Sequence, residues 1–166
     1  GTSPEDLAQT PWEAWYESLN RAYAVIRSLT DNIILGGFST GGVLSLLAAA
    51  NKAERVRAVF SISAPLALQS FGARFAPTLV SMNALIKRVH KSHDRWEFVV
   101  NNPENKHINY FRNPLSGVRE LSRLMDVVKD RIEDIRVPVY VLQGSRDPIV
   151  KPGSAQMIFD RLGTPY

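Results

Sequence analysis

The 166-residue sequence contains no cysteine. That excludes a disulfide scaffold, thiolate metal sites and a cysteine nucleophile, and it leaves the cellular compartment open. Long apolar runs are missing as well. None approaches the ~18 residues that a membrane-spanning helix requires, so no integral membrane segment is expected. The start, Gly1-Thr2-Ser3-Pro4-Glu5-Asp6, has neither a methionine nor a signal-peptide pattern, and a cytoplasmic location is the expectation. Charge of one sign is scarce too: twenty Lys and Arg against sixteen Asp and Glu leave a formal net charge of +4. An excess this small nominates no anionic partner. One basic cluster exists, formed by Lys87, Arg88, His90, Lys91, His93 and Arg95. It has no stacking aromatics interleaved and reads as a solvated helix end, so no nucleic-acid partner is expected. What remains is ordinary globular composition, 45% hydrophobic and 22% charged.

Alternation of elements sets the fold class. Thr10-Pro11-Trp12-Glu13 is a helix start, with Thr as N-cap, Pro at the first helical position and Glu three residues past the cap. Trp12, Trp15, Tyr16, Leu19, Tyr23, Ile26 and Leu29 follow at helical spacing, which predicts a helix over 11–29 with one apolar face on a sheet. Ile33-Ile34-Leu35 is a buried strand that Gly36 and Gly37 break, and the small apolar stretch 40–51 is a helix buried on most sides. Strands over 56–62 and 137–142 and a helix over 154–162 complete the pattern. Such alternation predicts an α/β fold whose core is a parallel sheet flanked by helices. Residues 66–134 depart from this rhythm, with helical patterns near 79–89 and 118–132 separated by the polar segment Asn101–Lys106. They read as a helical cap insertion and return helix between two core segments, 1–65 and 135–166.

The sharpest chemical signal is Gly37-Phe38-Ser39-Thr40-Gly41, a G-x-S-x-G pattern entered by a strand and left by a helix. That context makes it a nucleophile elbow, a strained turn that lifts Ser39 above the sheet. Gly37 and Gly41 are expected because the turn leaves no room for Cβ atoms on either flank. At the helix N-terminus the backbone N–H of Thr40 is placed to stabilise an oxyanion. The plainer alternative is a glycine-rich turn with an ordinary N-cap serine. A phosphate-binding loop is excluded, because Gly41 is followed by Gly42 and Val43 rather than by Lys and Ser/Thr. The second signal is the strand 138–142 running into Gly144-Ser145-Arg146-Asp147-Pro148. It presents Asp147 in the loop after a later strand, where a serine–acid–histidine order puts the acid. Such an acid holds a histidine in the correct tautomer and stabilises the imidazolium.

With these residues in view, the chain resembles the α/β-hydrolase fold, specifically its bacterial carboxylesterase and monoacylglycerol-lipase branch. The opening Gly1–Leu7 before a Trp-bearing helix, the elbow Gly37–Gly41 and the acid turn Gly144–Val150 are similar to that family's segments. The resemblance implies hydrolysis of a small ester or lipid-like substrate through an acyl-serine intermediate, with Ser39 and Asp147 as catalytic residues and no cofactor. It also implies a histidine about thirty residues past the acid, whereas Tyr166 lies only nineteen past Asp147. The chain therefore reads as a partial α/β-hydrolase, with its first strands and second oxyanion donor expected before Gly1 and its histidine after Tyr166. Sheet edges left open in this way are expected to favour oligomers.

The three histidines present, His90, His93 and His107, fall in the expected cap and read as exposed. His90 and His93 have a spacing compatible with a metal pair but lack a carboxylate cluster beyond Asp94 and Glu97, so no metal is expected. Phe71, Phe75, Leu79, Met82 and Leu85 are candidates for an acyl pocket or for packing within the cap. Two other readings stay open: a different acyl-transfer or C–C hydrolase on the same fold, and a non-catalytic chain that keeps the elbow as scaffold.

Overall fold

A computed structural model describes residues 3–52, 54–69, 98–100 and 110–164. The chain divides into two units, one of Gly1–Trp12 with Ser70–Ser122 and the other of Glu13–Gln69 with Arg123–Tyr166.

In the first unit, Ser3 caps a short helix α1 (Pro4–Gln9) that the sequence reading did not anticipate. Its hydroxyl accepts from the Asp6 N–H at 3.1 Å, and Pro4 opens the helix where a missing N–H costs nothing. A two-stranded antiparallel ribbon, β3 (Phe98–Val100) and β4 (Arg112–Pro114), is likewise new. Arg112 pairs with Glu5 of α1 and lies over the Phe98 ring at 4.5 Å. The helix that follows β4, α4 (Leu115–Arg131), starts three residues earlier than its apolar pattern indicates. The Ser116 hydroxyl donates to the Ala8 carbonyl at 2.9 Å, and buried Glu120 accepts from the Trp12 N–H at 3.3 Å.

The second unit carries a three-stranded, all-parallel sheet in the order β1 (Ile33–Phe38), β2 (Val56–Ile62), β5 (Val139–Leu142). Helix α3 (Thr40–Asn51) packs on β1 and β2. Val43, Leu46, Ala48 and Ala49 of α3 are buried, as are Val56 and Val59 of the sheet. A 3₁₀ turn, Ile132–Asp134, abuts α3 and the last helix, α5 (Gly153–Arg161). Strand β1 does not break at Gly36-Gly37, as its composition had indicated. It runs on to Phe38, paired with Ile62, because the Phe60 ring lies over Gly36 and supplies the packing that glycine lacks.

Two further expectations are corrected. The run Ile33–Leu35 is not buried throughout: Ile33 is, but Ile34 is 66% exposed. Together with Phe38, Phe60, Tyr140 and Leu142 it lines an open apolar face of the sheet. Helix α2 (Trp12–Arg27) ends before Leu29 and buries no residue fully. Trp15, Tyr16, Leu19 and Tyr23 are half-buried. One side-chain bond ties α2 to the end of α3, where Asn51 donates to the Tyr16 hydroxyl at 2.9 Å. The Lys52 ammonium lies over the Tyr23 ring at 4.9 Å, an attraction worth about 0.5–1 kcal/mol at an exposed site.

Much of the expected cap, including the helix near 79–89, lies outside the described residues. No described helix is long and apolar enough to cross a membrane.

Candidate active site

Ser39 lies between the last residue of β1 and the first of α3, with φ 53° and ψ −122°. An ordinary N-cap residue is extended and turns its side-chain oxygen onto the helix N–H groups. Ser39 does neither: its φ is positive and its hydroxyl makes no capping bond. Ser39 is therefore not an ordinary N-cap residue. Backbone bonds hold the turn in this costly conformation. The Ser39 N–H donates to the Ile62 carbonyl at 2.8 Å, and the Ser39 carbonyl accepts from Gly42 and Val43 at 2.9 and 3.2 Å. Strain of this kind amounts to roughly 1–3 kcal/mol per residue and persists where surrounding structure enforces it.

The glycines of the motif are not equivalent. A Cβ on Gly37 would lie 2.1 Å from the Gly41 carbonyl carbon and 2.5 Å from the Gly42 nitrogen, all backbone. On Gly41 it would meet nothing within 4 Å. The expectation that both flanks lack room is therefore corrected. The second crowded position is Gly42, where a Cβ would meet the Ala64 Cβ at 2.9 Å and the Ser61 Oγ at 3.1 Å. The chain folds back on itself between Gly37 and Gly42, and Gly41 faces outward from that crossing.

Asp147 follows β5 and reaches the same edge of the sheet as Ser39, because Phe38, Ile62 and Leu142 form one register row across three parallel strands. One carboxylate oxygen, Oδ1, accepts from the N–H groups of Ile149 and Val150, both at 2.9 Å. The other, Oδ2, accepts from Gln143 Nε2 at 3.1 Å. Partial burial works to raise the Asp147 pKa. The N–H groups of Val150 and Ile149, with the side chains of Gln143 and Ser63, outweigh it and hold the carboxyl below its ordinary value of 3.8.

The acid turn is clamped from outside. Gln69 donates its side-chain amide to the Asp147 carbonyl. Leu68 forms an antiparallel bridge with Val150, and buried Ser154 of α5 accepts from the N–H groups of Leu66 and Ala67.

Two other acids in this unit pair elsewhere: Asp126 with Lys129 at 2.9 Å and Asp134 with Arg131 at 2.6 Å, both in or just after α4. His90, His93 and His107 lie outside the described residues, as do the acyl-pocket candidates Phe71, Phe75, Leu79, Met82 and Leu85. Among the described residues no group of three or more His, Asp or Glu could hold a metal ion. Sequence reading missed Ser63, Gln143 and Gly42. Only the register that sets the ends of β1, β2 and β5 side by side reveals the first two.

Comparison with known proteins finds relatives along almost the whole chain. The chain is 25% identical to a thermostable monoacylglycerol lipase of Bacillus sp. (strain H-257), over 99% of this chain and 62% of that protein. It is 24% identical to a carboxylesterase of Bacillus subtilis (strain 168), over 99% and 63% respectively. It thus spans a little under two thirds of the length of these curated relatives. Among solved structures, a metagenome-derived lipolytic enzyme superposes with TM-score 0.82 at 19% identity, over 99% of this chain and 64% of that one. The monoacylglycerol lipase of Paleococcus ferrophilus gives 0.68, also at 19%, over 93% and 62%. Mouse alpha/beta hydrolase domain-containing protein 10 gives 0.59 at 21%, over 95% and 58%. The fold is that of the α/β-hydrolases, present in part. Residues 1–165 match the family described as serine aminopeptidase, S33, and the chain belongs to it.

Proposed function

We propose that this chain carries the nucleophile and the acid of a serine hydrolase acting on carboxylic esters of short or medium acyl chain, monoacylglycerols included. The observation that supports this best is the strained, uncapped Ser39 at the head of α3, on the same sheet edge as Asp147. In this reading Ser39 Oγ attacks the acyl carbon while an imidazole takes its proton. The carbonyl oxygen becomes an oxyanion that receives the Thr40 N–H. Helix α3 favours that charge, since its first turn holds no acidic residue and its N-terminus is electropositive. The imidazolium returns the proton to the departing alcohol, water then cleaves the acyl-serine, and Asp147 orients the imidazole throughout. Strands β1 and β5 are two strand spacings apart, about 10 Å, and the imidazole belongs between them. No histidine lies among the described residues, so the test supplies the base.

The experiment is labelling of the chain by a fluorophosphonate probe with and without added imidazole, beside Ser39→Ala and Asp147→Ala. We expect imidazole-dependent modification of Ser39, absent in the first variant and slowed in the second. No modification of Ser39 at any imidazole concentration would overturn the reading. The names of the relatives support an ester or lipid substrate. Self-association through the outer strands β1 and β5 belongs to the same proposal.

A further inference from the structure

One residue beyond the row Phe38–Ile62–Leu142, the three parallel strands end in Ser39, Ser63 and Gln143. These three polar residues form a second row across the mouth of the sheet, and its two outer members are already tied to the site. Ser39 is the proposed nucleophile, and Gln143 donates to Asp147 Oδ2 at 3.1 Å. The middle member, Ser63, is unusual in its own right. Among the described residues only Ser39 and Ser63 are non-glycine residues with positive φ, 53° and 47°. Ser63 is held there by its N–H, which donates to the Leu142 carbonyl at 2.7 Å, and its side chain is among the groups that lower the Asp147 pKa.

From this row we infer that Gln143 is a positioning residue for Asp147, fixing its carboxylate so that Oδ2 keeps one acceptor direction for an imidazole N–H. The inference rests on the hydrolase reading for its catalytic meaning. A carboxylate has about four acceptor sites on two oxygens. Oδ1 uses two on the N–H groups of Ile149 and Val150, which fixes the side-chain rotamer. Oδ2 takes the Gln143 amide from the β5 side. Without the Gln143 bond the group is anchored through Oδ1 alone, and no donor holds Oδ2 against small rotations about the Cβ–Cγ bond. With it the plane of the group, and hence the line along which it receives a proton donor, is set.

The test uses the chain as it stands, with two readouts. The first is the pH titration of the Asp147 carboxyl carbon by ¹³C NMR. Gln143→Met keeps the length and removes the donor, and Gln143→Glu keeps the shape and sets a negative charge against Oδ2. The midpoint is expected to rise in the order wild type, Met, Glu. A residue that merely fills space would leave wild type and Met alike.

The second readout is the imidazole-dependent fluorophosphonate labelling of Ser39. It should slow about tenfold in Gln143→Met, the effect expected on losing a hydrogen bond to a charged group. If wild-type Ser39 labels but neither titration nor labelling moves in the variants, this inference is wrong and the hydrolase reading stands. If wild-type Ser39 does not label, the hydrolase reading falls and takes the catalytic role of Gln143 with it, whatever the titration shows.

Discussion

Gly37 and Gly41 flank the same serine at the same sequence distance, yet the structure assigns them opposite tolerances. An alanine methyl at Gly37 would sit 2.1 Å from the Gly41 carbonyl carbon and 2.2 Å from its oxygen. Both atoms are backbone, inside a turn already fixed by the Ser39–Ile62 and Gly42–Ser39 hydrogen bonds. Nothing flexible can yield, so either the elbow opens or β1 shifts against β2. Overpacking typically costs about 1–3 kcal/mol, and a clash with backbone belongs at the upper end. For a chain of this size about 3 kcal/mol lowers the melting temperature by roughly 6–12 °C. At Gly41 the methyl meets open space, and replacing a helical glycine by alanine gains up to about 1 kcal/mol. Urea denaturation of both variants, read as midpoint at constant slope, measures the difference. Gly37→Ala should lose stability strongly while Gly41→Ala holds or gains. Equal losses at the two positions would refute the crossing described for the elbow.

Other predictions follow from the same geometry. Ser39→Gly removes the side chain that strains φ at 53° and should stabilise the fold by about 1 kcal/mol, measured by the urea midpoint, while abolishing probe labelling. Asp147 has a lowered folded pKa, so its ionised form stabilises the native state above 3.8, and that contribution disappears as pH falls through the folded value. The stability difference between wild type and Asp147→Asn should therefore shrink below that pH in acid denaturation series, and a constant difference would refute the assignment. Replacing exposed Ile34 and Tyr140 on the outer strands β1 and β5 by lysine should lower the average mass in sedimentation velocity, because charge on an outer strand opposes its pairing with a second copy. A wild type that stays monomeric at high concentration would count against that association.

The sequence by itself determined the parts whose signals are local. Ile33–Leu35 leading into Gly-Phe-Ser-Thr-Gly and then a run of small apolar residues identifies strand, elbow and helix, because each is set by neighbours along the chain. The same holds for β5 and the Asp147 turn, where Asp147 bonds N–H groups only two and three residues ahead. What it did not reveal depends on residues far apart in sequence. Gly36 sits inside a strand because Phe60, twenty-four positions later, covers it. Gly42 rather than Gly41 is crowded because the chain crosses itself against Ala64 and Ser61. Ile34 is exposed although it lies in an apolar run, since pleating turns alternate residues to opposite faces and α3 covers only one. Ser63 and Gln143 carry no motif at all. They join the site through strand register alone, which brings the ends of β1, β2 and β5 into one row, and such register is a property of the folded sheet rather than of any local stretch of sequence.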